Sequence, residues 1–211
     1  NHRLALAAVK AGVDGLRLNP GTIGSKDKVR EVVQAAKERS IPIRIGVNSG
    51  SLERRLLAKY GEATPEAMVE SALGHVRVFE DLGFRLIKVS LKASDVARTI
   101  VAYRLLAEKV DYPFHAGITE AGSLLSGSVK SSVGLGILLS EGLADTIRVS
   151  LTAPPEEEVR IAYLILQGMG LRARGVNFIS CPICGRAEVD MLKIAAAVER
   201  KLSAVRTPLT V

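Results

Sequence analysis

Two cysteines separated by two residues are the side chains of this sequence best suited to metal or redox chemistry. Cys181 and Cys184 lie in ISCPICGR, residues 179–186, and they are the only cysteines among the 211 residues. A C-x-x-C spacing is typical of one arm of a zinc or iron–sulfur site, and also of a thiol–disulfide redox pair. Both cysteines are therefore candidate metal ligands, although the 211 residues contain no further cysteine to complete a set of four thiolates.

Basic side chains form a second group with chemical potential, because they recur on one face of strand-like segments. In IRIGVN, residues 43–48, isoleucine and valine alternate with Arg44, Gly46 and Asn48. A strand that alternates in this way has one apolar and one polar face. Similar alternation gives polar faces to three other segments, with Arg17 and Asn19, Lys88 and Lys92, and Arg148 and Ser150.

Five such strand segments occur, and helical patterns separate them. We predict strands near residues 15–19, 43–48, 86–91, 114–118 and 146–151. Strands that alternate with helices form parallel sheets with right-handed crossovers, so the fold class is α/β. A doubly wound sheet would bury the basic faces under helices, which is costly, whereas a barrel turns them inward. The prediction is therefore a partial TIM-type (β/α) barrel, five parallel strands with helices on the outer face.

The barrel geometry would bring the basic residues together. Active sites of such barrels lie at the carboxyl ends of the strands, so Arg17, Arg44, Lys92 and Arg148 should be neighbours in one pocket. Guanidinium and ammonium groups are the preferred partners of phosphate oxygens. The pocket is predicted to bind an anionic ligand of the phosphate or diphosphate type.

Composition narrows the class of protein. The sequence is 47% hydrophobic and 24% charged, as in ordinary globular proteins, with no apolar run long enough to span a membrane and no secretory signal. With two cysteines the cytosol is the expected compartment. The net charge of +7 fits a nucleic-acid surface, an anion pocket or a mildly basic surface. Because aromatic residues make up 4% and tryptophan is absent, single-strand stacking platforms are disfavoured.

Six motifs, in order, resemble the 4-hydroxy-3-methylbut-2-enyl diphosphate synthase family of the non-mevalonate isoprenoid pathway. They are RLNPGTIGS, RIGVNSGSL, KVSLKASDV, HAGITEAG, SSVGLGILLSEGLADTIRVSL and NFISCPICGR. The resemblance implies a TIM-type barrel that binds 2-C-methyl-D-erythritol 2,4-cyclodiphosphate, followed by an iron–sulfur α/β domain with a 4Fe-4S cluster. It also implies ferredoxin or flavodoxin as electron donor and a homodimer, with neither nucleic acid nor a membrane as partner.

The resemblance further implies roles for individual residues. Glu120 in GITEAG would be the acid/base carboxylate, and Cys181 and Cys184 would be the first two cluster ligands. The substrate-binding residues would be Arg17, Asn19, Arg44, Asn48, Lys92, Thr119, Arg148 and Ser150. For His115 and Lys88, structural roles are expected. The alternative for Glu120 is a solvated loop or helix cap.

The resemblance also suggests a fragment. The sequence opens in what reads as a helix, residues 4–10, and shows five strands where a (β/α)8 barrel has eight. We expect residues 1–175 to be a partial substrate-binding barrel and 176–211 to be the start of the cluster domain. On its own, this length of chain is then expected to be inactive.

Other readings of the same residues remain open. CPIC at a helix N-terminus is also compatible with a thiol–disulfide pair, and two such arms in a dimer could hold zinc. A barrel that binds a phosphorylated ligand without turnover is a further alternative. Inorganic sulfide distinguishes these readings, since only the iron–sulfur enzyme requires it.

Overall fold

The computed structural model describes residues 1–19, 23, 25–181, 183–186 and 188–211. Within them the chain forms two compact units, Asn1–Ile161 and Ala162–Val211. The predicted boundary between the barrel and the cluster domain, between residues 175 and 176, is a separate matter and stays a prediction. No helix of the described residues is both long and apolar enough to cross a membrane.

Helices and strands alternate along the first unit. In chain order its elements are α1 (His2–Lys10), β1 (Leu16–Leu18), α2 (Lys26–Glu38), β2 (Ile43–Asn48), a 3-10 turn (Ser49–Ser51), α3 (Arg54–Tyr60), α4 (Pro65–Asp81), β3 (Ile87–Lys92), α5 (Val96–Ala107), β4 (His115–Ala116), α6 (Leu124–Ser140), β5 (Thr146–Ile147) and the first part of α7 (Pro155–Gly168). Side-chain caps begin several helices. Thr64 accepts a hydrogen bond from the backbone N–H of Ala67 at the start of α4, and Asp95 caps α5 in the same way.

The strands of the first unit are parallel and follow one another in chain order. β2 lies between β1 and β3, with Arg17 opposite Arg44 and Asn48 opposite Lys92 in the register. β4 pairs with β5, and a bridge between Val89 and Phe114 connects β3 to β4. The prediction of five parallel strands is confirmed, although β4 and β5 have only two residues each.

The apolar faces of the strands form the core. Ile43, Ile45 and Val47 of β2 are buried, and so are the alternate residues of β3. Helix α4 packs against β2 and β3, and helix α5 packs against β3. The opposite face carries the half-buried Arg44 and Lys88, as the sequence alternation predicted.

A buried tyrosine explains why the pairing between β3 and β4 is short. The backbone N–H of Leu91 donates to the hydroxyl of Tyr103 at 3.1 Å, and that hydroxyl donates to the carbonyl of His115 at 2.7 Å. Burial raises the pKa of Tyr103, which keeps this hydroxyl protonated. The side chain from α5 thus replaces a direct bond between the two strands with a bridge of one oxygen atom.

The second unit contains the end of α7 and the elements β6 (Val176–Asn177), α8 (Met191–Leu202) and β7 (Leu209–Thr210). β6 and β7 pair in parallel. The carboxylate of Asp190 accepts a hydrogen bond from the backbone N–H of Lys193 and so caps α8. The guanidinium of Arg174 lies 4.2 Å from the ring centroid of Tyr163, a cation–π contact.

Replacing Tyr103 with phenylalanine should destabilise the first unit. The substitution keeps the ring but leaves the buried Leu91 amide and the His115 carbonyl without their partner. We expect the free energy of unfolding to fall by about 1–3 kcal/mol, measured by urea denaturation.

Tyr112→Phe is the matched control for this substitution. The Tyr112 hydroxyl donates to the side chain of Glu80 at 2.8 Å near the surface, where water replaces the lost partner. Its loss of stability should be clearly smaller. Equal effects of the two substitutions would show that the hydroxyl bridge between β3 and β4 stabilises the fold no more than a hydrogen bond near the surface does.

Candidate functional site

Arg17 extends from β1 across the neighbouring strand. A methyl group at Gly46 would place its carbon 2.6 Å from Nε of Arg17 and 3.1 Å from its Nη2. The guanidinium therefore lies directly over the backbone of Gly46, a space that only a residue without a side chain leaves free. This arrangement brings a cation from β1 onto the polar face of β2.

Lys92 is the most buried cation of the site. The residue ends β3 and is 4% exposed, and its Nζ has no hydrogen-bond partner among the residues that the structure describes. A methyl group at Gly117, just after β4, would lie 3.2 Å from this Nζ. Since buried polar groups are nearly always paired, an unpartnered ammonium at the end of a strand indicates room for an anionic ligand.

Arg148 and Arg44 complete the group of four cations. Arg148 follows β5, and its backbone N–H donates to the carbonyl of Ala116 at 2.9 Å, which fixes it beside the end of β4. Its Nη2 donates to the hydroxyl of Ser150 at 2.7 Å. Arg44 projects half-buried from the polar face of β2.

The pKa shifts of these groups record their mutual repulsion. Burial, then Arg148, Arg44 and Arg17, lowers the pKa of Lys92 to about 7. Burial, Arg17 and Arg148 also lower the pKa of Arg44. For both residues burial is the largest cause, and the neighbouring arginines add to the cost of the charged form. An anion placed among them would favour the charged forms.

His115 lies at the edge of this cationic group. Burial lowers its pKa to about 3, with Lys92 and Arg44 as the next causes, so its ring is neutral near pH 7. Its Nδ1 and the Thr146 hydroxyl lie 2.9 Å apart and form a hydrogen bond between β4 and β5. This geometry agrees with the structural role predicted for His115.

Asn19 lies in the loop that follows β1, and Asn48 is the last residue of β2. The Nδ2 of Asn19 donates to the hydroxyl of Ser51 at 3.2 Å, and that hydroxyl donates to the carbonyl of Asn48 at 3.4 Å. These bonds connect the two strands at their carboxyl ends.

Thr119 and Glu120 follow β4 at the same end of the sheet. The backbone N–H of Thr119 donates to the carbonyl of Ala93, the residue after Lys92, at 3.1 Å. Glu120 is exposed and has a φ of 52°, in the left-handed region that residues other than glycine seldom adopt. The connection to Ala93 thus holds the Glu120 backbone next to the strand that carries Lys92.

Cys181 and Cys184 lie in the second unit. Both are free and exposed. Among the described residues, no three His, Cys, Asp or Glu side chains are grouped as metal ligands. The two thiols supply two donor atoms, whereas an iron–sulfur cluster normally has four ligands.

The structure brings together most of the residues predicted for substrate binding, but sequence reasoning missed the residues that shape their surroundings. No role in the site was predicted for Gly46, Gly117 or Tyr103. For Gly46 a signal was present, because a glycine inside a strand often marks the close approach of another group. The hydroxyl of Tyr103 left no such signal, since its position inside a helix predicts only a buried ring.

Replacing Lys92 with methionine should stabilise the protein. The folded pKa of about 7 lies below the ordinary lysine pKa of 10.5, so between these pH values the unfolded chain binds the extra proton. The resulting destabilisation therefore develops as the pH falls from 10.5 to 7, and it is complete below 7. We expect Lys92→Met to raise the free energy of unfolding at pH 7 by about 1–4 kcal/mol, as when other buried charges are replaced by apolar side chains.

The matched control is Lys88→Met, four residues earlier on the same face of β3 and only half-buried. Denaturant unfolding at several pH values should show little change for this variant. The stabilisation by Lys92→Met should shrink as the pH rises toward 10.5. A pH-independent gain, or a loss of stability, would contradict the repulsion described above.

Comparison with known proteins gives this arrangement its context. The chain is 58% identical over 211 residues to 4-hydroxy-3-methylbut-2-en-1-yl diphosphate synthase (flavodoxin) of Geobacter sulfurreducens, covering all of the chain and 60% of the relative. It is 59% identical over 210 residues to the protein of the same name from Magnetococcus marinus, covering 57% of that protein. The chain thus spans about 60% of the length of the curated relatives it matches.

Likeness to solved structures concerns the fold alone. The carboxyl transferase domain of Rhizobium etli pyruvate carboxylase, with pyruvate and biocytin, matches with a TM-score of 0.50 and 14% identity, over 98% of this chain and 32% of that one.

A family model described as the GcpE TIM-barrel domain matches residues 1–163, and it confirms the predicted barrel class for the row of strands β1 to β5. By this match and by its similarity to the two synthases, the chain belongs to the GcpE family.

Proposed function

We propose that these residues form the substrate-binding part of a 4-hydroxy-3-methylbut-2-enyl diphosphate synthase. The substrate would be 2-C-methyl-D-erythritol 2,4-cyclodiphosphate, and the reaction its reductive ring opening and dehydration in isoprenoid biosynthesis. The observation that carries the proposal is the buried ammonium of Lys92 at the carboxyl end of β3, which has no hydrogen-bond partner among the described residues and lies close to three arginines. The printed name of the relatives, 4-hydroxy-3-methylbut-2-en-1-yl diphosphate synthase, supports the choice of product.

The four cations would bind the diphosphate. Guanidinium groups can bind two phosphate oxygens at once, and the pocket offers three of them, from Arg17, Arg44 and Arg148. The ammonium of Lys92 adds a compact positive charge. An anion would relieve the repulsion that lowers the pKa of Lys92 and of Arg44. The half-buried Thr119, Asn19, Asn48 and Ser150 are the proposed neutral ligands.

Glu120 is the proposed acid. The reaction consumes two electrons and one proton, breaks a C–O bond of the cyclic diphosphate and expels a hydroxyl group as water. A carboxylic acid beside the departing hydroxyl would supply the proton. The left-handed backbone of Glu120 supports this role, because unusual backbone conformations concentrate at functional sites.

Cys181 and Cys184 are the proposed thiolate ligands of a 4Fe-4S cluster, which when bound would supply the two electrons. The exposure of both thiols is compatible with ligation, and other ligands would have to come from outside this pair. Flavodoxin, named in the relatives, or ferredoxin is the proposed donor. A homodimer and a cytosolic location complete the proposal.

Replacing Arg44 with alanine should weaken binding of the cyclic diphosphate. We expect a loss of about 1.5–3 kcal/mol, the contribution of a hydrogen bond to a charged group. Isothermal titration calorimetry measures the affinity. Arg77→Ala, the same substitution at an exposed residue of α4, is the control and should leave the affinity unchanged. Unchanged affinity in Arg44→Ala as well would remove this residue from the site.

Anaerobic reconstitution with iron and sulfide tests the proposed cluster ligands. The 211-residue chain contains two cysteines and should retain no stable 4Fe-4S cluster and no reductase activity. A protein of the relatives' length that includes these residues should bind the cluster and form product. Bound iron, acid-labile sulfide and product are the measurements.

The controls for this experiment are Cys181→Ala and Cys184→Ala in the longer protein, each of which should lower the iron and sulfide content. A stoichiometric, stable cluster on the 211-residue chain would contradict the proposal. Binding of zinc without sulfide would favour the zinc alternative instead.

A further inference from the structure

Gly46 lies inside β2, between Arg44 and Asn48 on the polar face of the strand. We infer that Gly46 is a positioning residue: the space left by its missing side chain holds the Arg17 guanidinium over the pocket, where it can contact an anion. The inference rests on the proposed function, because it concerns the same diphosphate pocket.

The contact distances define this role. A methyl carbon at Gly46 would lie 2.6 Å from Nε, 3.1 Å from Nη2 and 3.2 Å from Cζ of Arg17. Non-bonded carbon atoms are optimally separated by about 3.5–4.0 Å, so a side chain of any size forces the guanidinium to move. The observed position of Arg17 therefore requires glycine at residue 46.

The displacement should leave the fold intact. Arg17 is exposed, and the crowded atoms are at the far end of its flexible side chain, which can turn toward solvent. Gly117 offers a contrast, since a methyl carbon there would lie 2.5 Å from the backbone carbonyl oxygen of Arg148. Backbone atoms cannot turn away as the end of a side chain can, so substitution at Gly117 would strain the backbone, whereas substitution at Gly46 would change mainly the direction of one side chain.

The pKa shifts of the other cations indicate that Arg17 lies close to them. Arg17 is opposite Arg44 in the register of β1 and β2, and it contributes to the lowered pKa of both Arg44 and Lys92. Arg17 is thus close enough to share one anion with them. Turning the Arg17 side chain outward would remove one positive charge from the pocket.

Gly46→Ala in the 211-residue chain tests the inference. The position of Arg17 is followed by the NMR signal of its Nε–H group, and folding by the melting temperature. Affinity is measured by calorimetry with inorganic pyrophosphate. We expect a shifted Arg17 signal, an unchanged melting temperature and affinity reduced about tenfold, as for the loss of one charge-assisted hydrogen bond. Gly50→Ala is the control, because nothing lies within 4 Å of a methyl carbon there.

A double-mutant cycle separates positioning from a general effect on the strand. In the Arg17→Ala background, Gly46→Ala should cause no further loss of pyrophosphate affinity, since the displaced group is already gone. An equal loss in both backgrounds, or an unshifted Arg17 signal in Gly46→Ala, would overturn the inference. Failure of the unsubstituted chain to bind pyrophosphate would instead count against the proposed diphosphate pocket, while the Arg17 signal still decides whether Gly46 sets its position.

Discussion

The burial of Lys92 close to other cations, at the carboxyl end of β3, is the constraint on which the site depends. Among the described residues Lys92 Nζ has no hydrogen-bond partner, and burial together with three arginines lowers the pKa of Lys92 to about 7. Such a group disfavours the folded state, because burying a charge near others of the same sign costs free energy. An arrangement of this kind is characteristic of a binding site, where stability is sacrificed for a ligand of opposite charge.

The rest of the first unit holds these cations in place against their repulsion. Buried aliphatic faces of β2 and β3 pack under α4 and α5, so the polar faces of the same strands have a fixed direction. Tyr103 reaches between β3 and β4 and satisfies Leu91 and His115 where the two strands separate. The separation occurs beside Lys92, whose Nζ lies close to Gly117 after β4. The interruption of the sheet and the burial of the ammonium are thus parts of one local arrangement.

Small residues matter in this site as much as charged ones. The Arg17 guanidinium lies over Gly46, and the Lys92 ammonium lies beside Gly117. At each position a side chain would occupy the space that a cation now fills. A pocket lined by long basic side chains from adjacent strands needs such gaps, because strands only about 4.8 Å apart leave little room between their side chains.

Local patterns in the sequence were sufficient to predict the parallel α/β class and the polar face of each strand. Alternation of apolar and polar residues is a local property, and it survives in the fold because the buried face must be apolar. Six motifs in order also indicated the family, to which the match over residues 1–163 assigns the chain.

Only the tertiary structure decided how these residues meet. The burial of Lys92, the bridge from Tyr103 and the passage of Arg17 over Gly46 depend on the strand register and on contacts between residues 12 to 29 positions apart in the chain, such as Leu91 with Tyr103 and Arg17 with Gly46. A hydroxyl inside a helix gives no local sign that it will enter a sheet, and a lysine at a strand end gives no sign that its neighbours will exclude water. Periodicity specifies the face on which a side chain lies, whereas its depth and its partners follow from the packing of neighbouring elements.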